Sequence, residues 1–125
     1  MISKACPCLF VLTMALVIGC TKERSLTVTA TAFNSTRAQT DGRPNETACG
    51  KKIKPGEKIV AVSRDLMEAG LICGTEIRIQ DVEGSWVVAD KTAARHEKHI
   101  DIYMGRDVRA AREWGVKEVE IAWRE

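Results

Sequence analysis

The segment LTVTATAF, residues 26–33, sets apolar and polar side chains against each other with a period of two. Leu26, Val28, Ala30 and Ala32 share one face, and Thr27, Thr29, Thr31 and Phe33 share the other. Successive side chains on a strand point to opposite sides, so this run predicts a strand with one buried face. Similar short runs follow at KIVAVS (58–63), TEIRIQDV (75–82), SWVVAD (85–90), HIDIYM (99–104) and VKEVEIAW (116–123). Only two stretches read as helix. RDLMEAG (64–70) has Ser63 as a candidate N-cap and Gly70 as a stop, and GRDVRAAREWG (105–115) repeats Val108, Ala111 and Trp114. Six short strands with two brief helices predict a mainly β chain closed into a small barrel.

The first 19 residues belong to a different kind of segment. MISK carries one positive charge, and ACPCLFVLTMALVIG is apolar, too short to span a bilayer and suited to a signal-peptide core. Its end, Val17, Ile18, Gly19 and Cys20, resembles a bacterial lipobox. That resemblance implies cleavage before Cys20 and lipid on its thiol, each buried methylene adding about 0.8 kcal/mol of anchoring. Ordinary secretion with an incidental cysteine is the alternative. Thr21 rather than aspartate after Cys20 points, by analogy with Gram-negative sorting, to the outer membrane facing the periplasm. The organisation expected is a signal peptide over 1–19, a lipidated tether over 20–26 and one domain over 27–125.

Export bears on the cysteines. Cys6 and Cys8 leave with the signal and Cys20 takes lipid, so Cys49 and Cys73 remain. In an oxidising compartment they are expected to pair, closing a loop of roughly 25 residues that adds about 3 kcal/mol. Two buried free thiols are the alternative. Neither CxxC nor His-Cys spacing suggests a metal site. The formal charge of +2 falls to +1 once Lys4 is removed with the leader, which argues against a nucleic-acid partner.

Within the domain, NSTRAQTDGRPNETACGKKIKPGE (34–57) is a long polar connection of the sort that covers a surface or serves a function. Thr40 and Thr47 within it suit sugars and turns equally. WVVADKTAARHEKHIDIY (86–103) places Asp90 at the end of one strand and Asp101 inside the next. Between them stand Lys91, Arg95, His96, Lys98 and His99. A metal held by His96, His99 and Asp101 is disfavoured, because the spacing crosses an irregular loop.

AVSRDLMEAGLICGTEIRI, WVVADK and HIDIYMGRDVRAAREWGVKEVEI, with TATAFNS and TACG before them, resemble the 3D domain, a family named for three aspartates. The resemblance covers about residues 27–123. It implies a six-stranded double-psi β-barrel, related to rare lipoprotein A, expansins and the membrane-bound lytic transglycosylase A. It also implies cleavage of peptidoglycan glycan strands. The three aspartates fall on Asp65, Asp90 and Asp101, with Asp90 as acid-base and Asp101 as its close neighbour. Where the family continues with Thr-Gly and a Gly-rich turn, this chain has the basic DKTAARHEKH.

One carboxyl can protonate a glycosidic oxygen and then take the proton of the sugar's C6 hydroxyl, if its pKa is raised from about 3.9. Apolar surroundings and a second carboxylate raise it. Asp90 follows Val87, Val88 and Ala89, and Asp101 is expected to supply the like charge. Lys91, Arg95 and Lys98 would meet the carboxylates of peptidoglycan. Trp86 and Tyr103 are candidates to stack on sugar rings, and Phe33 to line the cleft, whereas Trp114 and Trp123 read as core. The expected activity is that of a lytic transglycosylase on peptidoglycan, needing no cofactor and no metal, by a monomer. A non-catalytic, expansin-like binding or wall-loosening module is the alternative, favoured by the altered turn after Asp90. A structural lipoprotein docking on another envelope protein is the third.

Overall fold

The computed structural model describes residues 22–35 and 47–125. The expected signal peptide, Cys20 and Thr40 lie outside those residues. Six strands form one closed barrel: β1 (Glu23–Phe33), β2 (Ile59–Val62), β3 (Glu76–Ile79), β4 (Val82–Lys91), β5 (His99–Tyr103) and β6 (Lys117–Arg124). Two short helices, α1 (Arg64–Glu68) and α2 (Val108–Trp114), link strands at its surface. The strand order round the barrel is β1-β5-β2-β4-β3-β6. β1 runs parallel to β5 and β2 parallel to β4, and the other pairings are antiparallel. This is the six-stranded double-psi arrangement expected from the sequence.

Two clusters hold the barrel together. The interior is filled by Val28, Ala30, Val60, Val62, Val88, Ile100, Ile102 and Ile121, with Trp86 and Trp123. The second cluster lies on the opposite face of β2, where Ile59 meets Ile53, Ala89 and Tyr103, with Phe33 and Val87 against them. All four residues of β2 are therefore buried, the inward pair by the barrel and the outward pair by what covers it. This is why KIVAVS reads as nearly continuous apolar sequence rather than as clean alternation.

Two boundaries and one cap differ from the sequence reading. β1 begins at Glu23, inside the span read as tether, because Glu23–Leu26 pair with Arg124–Ile121 of β6. Ion pairs of Glu23 with Arg78 and Arg124, and of Arg24 with Glu125, accompany that pairing. The turn after β3 falls at Gln80-Asp81 rather than at Glu83-Gly84. Asp81 adopts φ 62°, a left-handed conformation that Asp tolerates better than most residues. Ser63 stands at the N-cap position of α1 but makes no side-chain cap; its hydroxyl instead accepts a hydrogen bond from the amide of His99 at 3.1 Å. Asp107, not singled out in the sequence, caps α2 by accepting from the amide of Ala110 at 2.9 Å.

Candidate functional site

Strict alternation would send Asp90 into the barrel. Trp86 and Val88 face the interior on β4, and Asp90 is next in that series. A β-bulge intervenes: Val60 pairs with Val88, but Ala61 pairs with Asp90, so Ala89 is the extra residue. One extra residue exchanges the two faces beyond it. Asp90 thereby leaves the barrel on its outer face.

On the next strand Ala61 also pairs with Asp101, and Asp101 pairs with Thr31. Residues directly opposite on neighbouring strands share a face. Thr31, Asp101, Ala61 and Asp90 therefore form one row across four strands, in the order β1, β5, β2, β4. With strands about 4.8 Å apart, the Cα atoms of the two acids stand roughly 10 Å from each other, with only an alanine methyl between them. One flank of the row is the apolar cluster of Phe33, Tyr103, Ile59 and Val87. The other is polar and carries His99 and Ser63.

Each acid has its own bonding. Asp90 Oδ1 accepts the amide of Ala48 at 2.7 Å and that of Lys91 at 2.9 Å. It therefore pins the turn that begins at Thr47 to the end of β4. Asp101 Oδ1 accepts the hydroxyl of Thr31 at 3.1 Å. Burial raises the Asp101 pKa above the ordinary carboxylate value, and the charge of Asp90 adds to that; the Thr31 hydrogen bond and His96 oppose it. The surroundings of Asp101 thus favour its protonated form. The family resemblance assigns the acid-base role to Asp90, with Asp101 as its close neighbour.

Asp65 lies elsewhere. It sits on α1, and its Oδ2 accepts the amide of Lys98 at 2.9 Å. Lys98 has φ 44°, so this bond holds the end of the basic loop in a left-handed conformation. Burial pushes the Asp65 pKa up, but Ser63, the Lys98 amide and the first amides of α1 outweigh it and hold the group below its ordinary value. Oδ1 makes no well-formed hydrogen bond, so its charge is favoured by nearby donors rather than by a bond of good geometry. Asp65 anchors the end of that loop beside Ser63, outside the row formed by Asp90 and Asp101.

The aromatic candidates divide. Trp86 is 8% exposed inside the barrel, with its Nε1 donating to the Glu83 carbonyl and Lys58 lying over the ring at 5.5 Å. Tyr103 is 2% exposed, its hydroxyl 2.8 Å from Ser35 Oγ and its ring 5.3 Å from that of Phe33. Both expose little surface, and both line one concavity of about 300 Å³ together with Lys58, Met104 and Asp107. Phe33 is half-buried beside the row. Trp123 is core as expected, while Trp114 is half-buried, donates to the Ala30 carbonyl at 3.1 Å and lies under Lys117 at 4.0 Å.

Lys91, Arg95 and Lys98 are exposed on one side of Asp90. The sequence reading missed a second basic flank, residues 47–58, whose Ala48 and Cys49 amides bond Asp90 and the Ala89 carbonyl. That flank holds Lys51, Lys52, Lys54 and Lys58 against Glu57, a net +3. Residues 91–98 hold Lys91, Arg95 and Lys98 against Glu97, a net +2. The whole chain carries +2, so the rest sums to 2 − 5 = −3. Positive charge is concentrated in these two segments, one bonded to Asp90 through the Ala48 amide and the other following it in sequence. The KKIK run was the available signal.

Cys49 and Cys73 form a disulfide. Among the described residues, no group of three or more His, Cys, Asp or Glu side chains is placed to hold a metal ion. A concavity of about 390 Å³ lined by Ile79, Val82, Gly84 and Ile121 lies on the β3–β4–β6 side and contains neither acid. Along the row Asp90, Asp101 and Thr31 are half-buried and Ala61 is buried.

The anchoring role of Asp90 gives a test. Asp90→Asn keeps an acceptor for the amides of Ala48 and Lys91, so thermal melts should barely move. Asp90→Ala leaves both without it and should cost about 1 kcal/mol, as the partly solvated amides recover some bonding from water.

The closed six-stranded barrel with its outward acid row places the molecule among double-psi β-barrel proteins. No protein-family model matches the chain, and no curated protein sequence does. Among solved structures it is similar to the crystal structure of the apo expansin of Clavibacter michiganensis, with a TM-score of 0.54 and 22% identity, over 78% of this chain and 49% of that one. It is similar also to a Streptomyces papain inhibitor, with a TM-score of 0.52 and 19% identity, over 81% of this chain and 94% of the inhibitor. An aspartate-to-asparagine mutant of the same expansin, in complex with cellohexaose, gives a TM-score of 0.52 and 19% identity, over 82% of this chain and 50% of that one. The chain thus spans about half the length of the expansin. At these identities the likeness is one of fold.

Proposed function

We propose that the chain is a cell-wall glycan-binding module that takes peptidoglycan strands along the outer face of its barrel, with Asp101 and Asp90 as its working acids. The observation that carries this reading is the outward Thr31, Asp101, Ala61, Asp90 row, joined at Asp90 by two basic segments, 47–58 and 91–98. The expansin in complex with cellohexaose supports it, because that ligand is a β-1,4-linked chain and the peptidoglycan backbone has the same linkage. Peptidoglycan also carries lactyl-peptide carboxylates, which the lysines of both flanks would meet. In this reading the module acts as a monomer, held at the periplasmic side of the outer membrane by lipid on Cys20.

The test is retention of the full-length protein on purified sacculi. Retention should fall steeply as salt rises from 0.05 to 0.5 M, because exposed charges are screened over about 10 Å at 0.1 M and about 3 Å at 1 M. Charge reversal at Lys52 and Lys54, or at Lys91 and Lys98, should reduce it further. Retention unaffected by both salt and these variants would defeat the proposal. Papain inhibition is measured alongside; inhibition without sacculus retention would move the function to proteinase docking.

A second reading, lytic transglycosylase cleavage, is favoured by the raised pKa of Asp101. Protonated Asp101 would donate to the glycosidic oxygen as the C1–O4 bond breaks. The C6 hydroxyl would then give its proton to the Asp101 carboxylate as the C1–O6 bond forms, closing a 1,6-anhydro ring without water. Ionised Asp90 would stabilise the positive charge developing on the sugar. Release of 1,6-anhydro muropeptides from sacculi tests this reading, and intact sacculi would leave the binding module alone.

A further inference from the structure

The polar flank of the acid row contains a chain of hydrogen bonds that ends at Asp101. His99 Nε2 lies 2.8 Å from Thr31 Oγ1, and Thr31 Oγ1 lies 3.1 Å from Asp101 Oδ1. A hydroxyl has one hydrogen to give, and Asp101 Oδ1 accepts it, whether as a carboxylate oxygen or as the carbonyl oxygen of a carboxyl protonated on Oδ2. Thr31 must therefore donate to Asp101, and the hydrogen between Thr31 and His99 must come from Nε2. We propose that His99 is the positioning residue of Asp101: with its hydrogen on Nε2 it donates to Thr31, Thr31 donates to Oδ1, and the acid carries its own proton on Oδ2.

The surroundings of His99 favour this arrangement. The residue is 9% exposed, and its amide is bound by the buried Ser63 hydroxyl. Its ring is stacked on that of His96, with centroids 4.2 Å apart and planes within 8°. The charged and titratable groups acting on it are His96 and Arg95 from the 91–98 loop and Asp101, reached through Thr31. Burial, followed by those two neighbours, lowers the His99 pKa. A neutral imidazole has one ring hydrogen, and the Thr31 contact assigns it to Nε2. The His99 ring is hydrogen-bonded to Thr31, which in turn bonds Asp101, so it works through Thr31. Neutral hydrogen bonds in series polarise one another, which is how a residue one step removed can act on the acid.

The importance of this relay rests on the reading of Asp101 as the working acid, but its existence can be measured without any glycan. Long-range proton–nitrogen spectra of the full-length protein should show His99 neutral at pH 7 with its hydrogen on Nε2. Thr31→Val should convert that signature to a mixture of tautomers. Carboxyl carbon titration should show the Asp101 pKa rising in His99→Phe and returning towards the parent in His99→Gln, whose amide can still donate. Sacculus retention should weaken roughly five-fold in His99→Phe, the effect of losing one hydrogen bond of ordinary net strength, and be largely restored in His99→Gln. A hydrogen on Nδ1 in the parent protein, a charged ring at pH 7, or a tautomer indifferent to Thr31→Val would overturn the proposal. Correct spectral signatures with retention indifferent to His99 would leave the relay standing and remove the glycan reading.

Discussion

Asp101→Asn is expected to abolish action on the glycan while raising the melting temperature at pH 7. The two effects have one cause. Burial, aided by the charge on Asp90, raises the pKa of Asp101 in the folded chain. A carboxyl raised above its unfolded value of about 3.9 contributes its stability fully below that pH. The contribution disappears as pH climbs through the folded value, and above it the ionised, half-desolvated group opposes folding. Asparagine has the same shape, still accepts from Thr31 and carries no charge. Its melting temperature should exceed that of the parent by a few degrees at pH 7, and the two should converge near pH 4. Any cleavage of sacculi should fall at least 100-fold, the effect of removing a general acid. A variant less stable than the parent at neutral pH, or one that still releases product, contradicts this account of the site.

Removing the disulfide should have the largest effect on stability. Cys49 and Cys73 are 24 residues apart, and a cross-link over that span restrains the unfolded chain by about 3 kcal/mol. For a domain of this size that corresponds to a fall of roughly 12–24 °C in Tm. The bridge also has a local task. The amide of Cys49 donates to the Ala89 carbonyl at 3.4 Å, and that of Gly74 donates to the Val88 carbonyl at 2.8 Å. The two turns that it joins thus grip β4 at the bulge that aims Asp90. The Cys49→Ser/Cys73→Ser protein, or the parent under reductant, should lose sacculus retention at temperatures where it is still folded. Calorimetry of the two forms checks the first effect. A difference under about 1 kcal/mol would show that the barrel needs no such clamp.

The strands were readable because a period of two survives wherever one face is buried. The readings failed where that rule was broken by something not written in local composition. Asp90 follows Trp86 and Val88 in perfect alternation, and only the pairing with β2 reveals the extra residue at Ala89. The start of β1 was missed because Glu23 and Arg24 look like tether until their ion pairs with Arg78, Arg124 and Glu125 are known. Trp86 and Tyr103 enter different clusters, which an aromatic residue in a strand gives no sign of. Thr31 was within reach. It shares the outward face of β1 with Phe33, which had been assigned to the cleft, and a residue two places away on that face belongs beside it. The His99–Thr31 contact spans 68 residues and no spacing could disclose it.

The two ends of the described domain lie side by side. The amide of Glu125 donates to the carbonyl of Lys22, and Glu23 pairs with Arg124. Thr31 stands eight residues further along β1, about 26 Å away at 3.3 Å per residue. The acid row is thus met eight residues into β1 from where the two ends come together, so a reporter fused after Glu125 would join at that meeting point rather than beside Thr31.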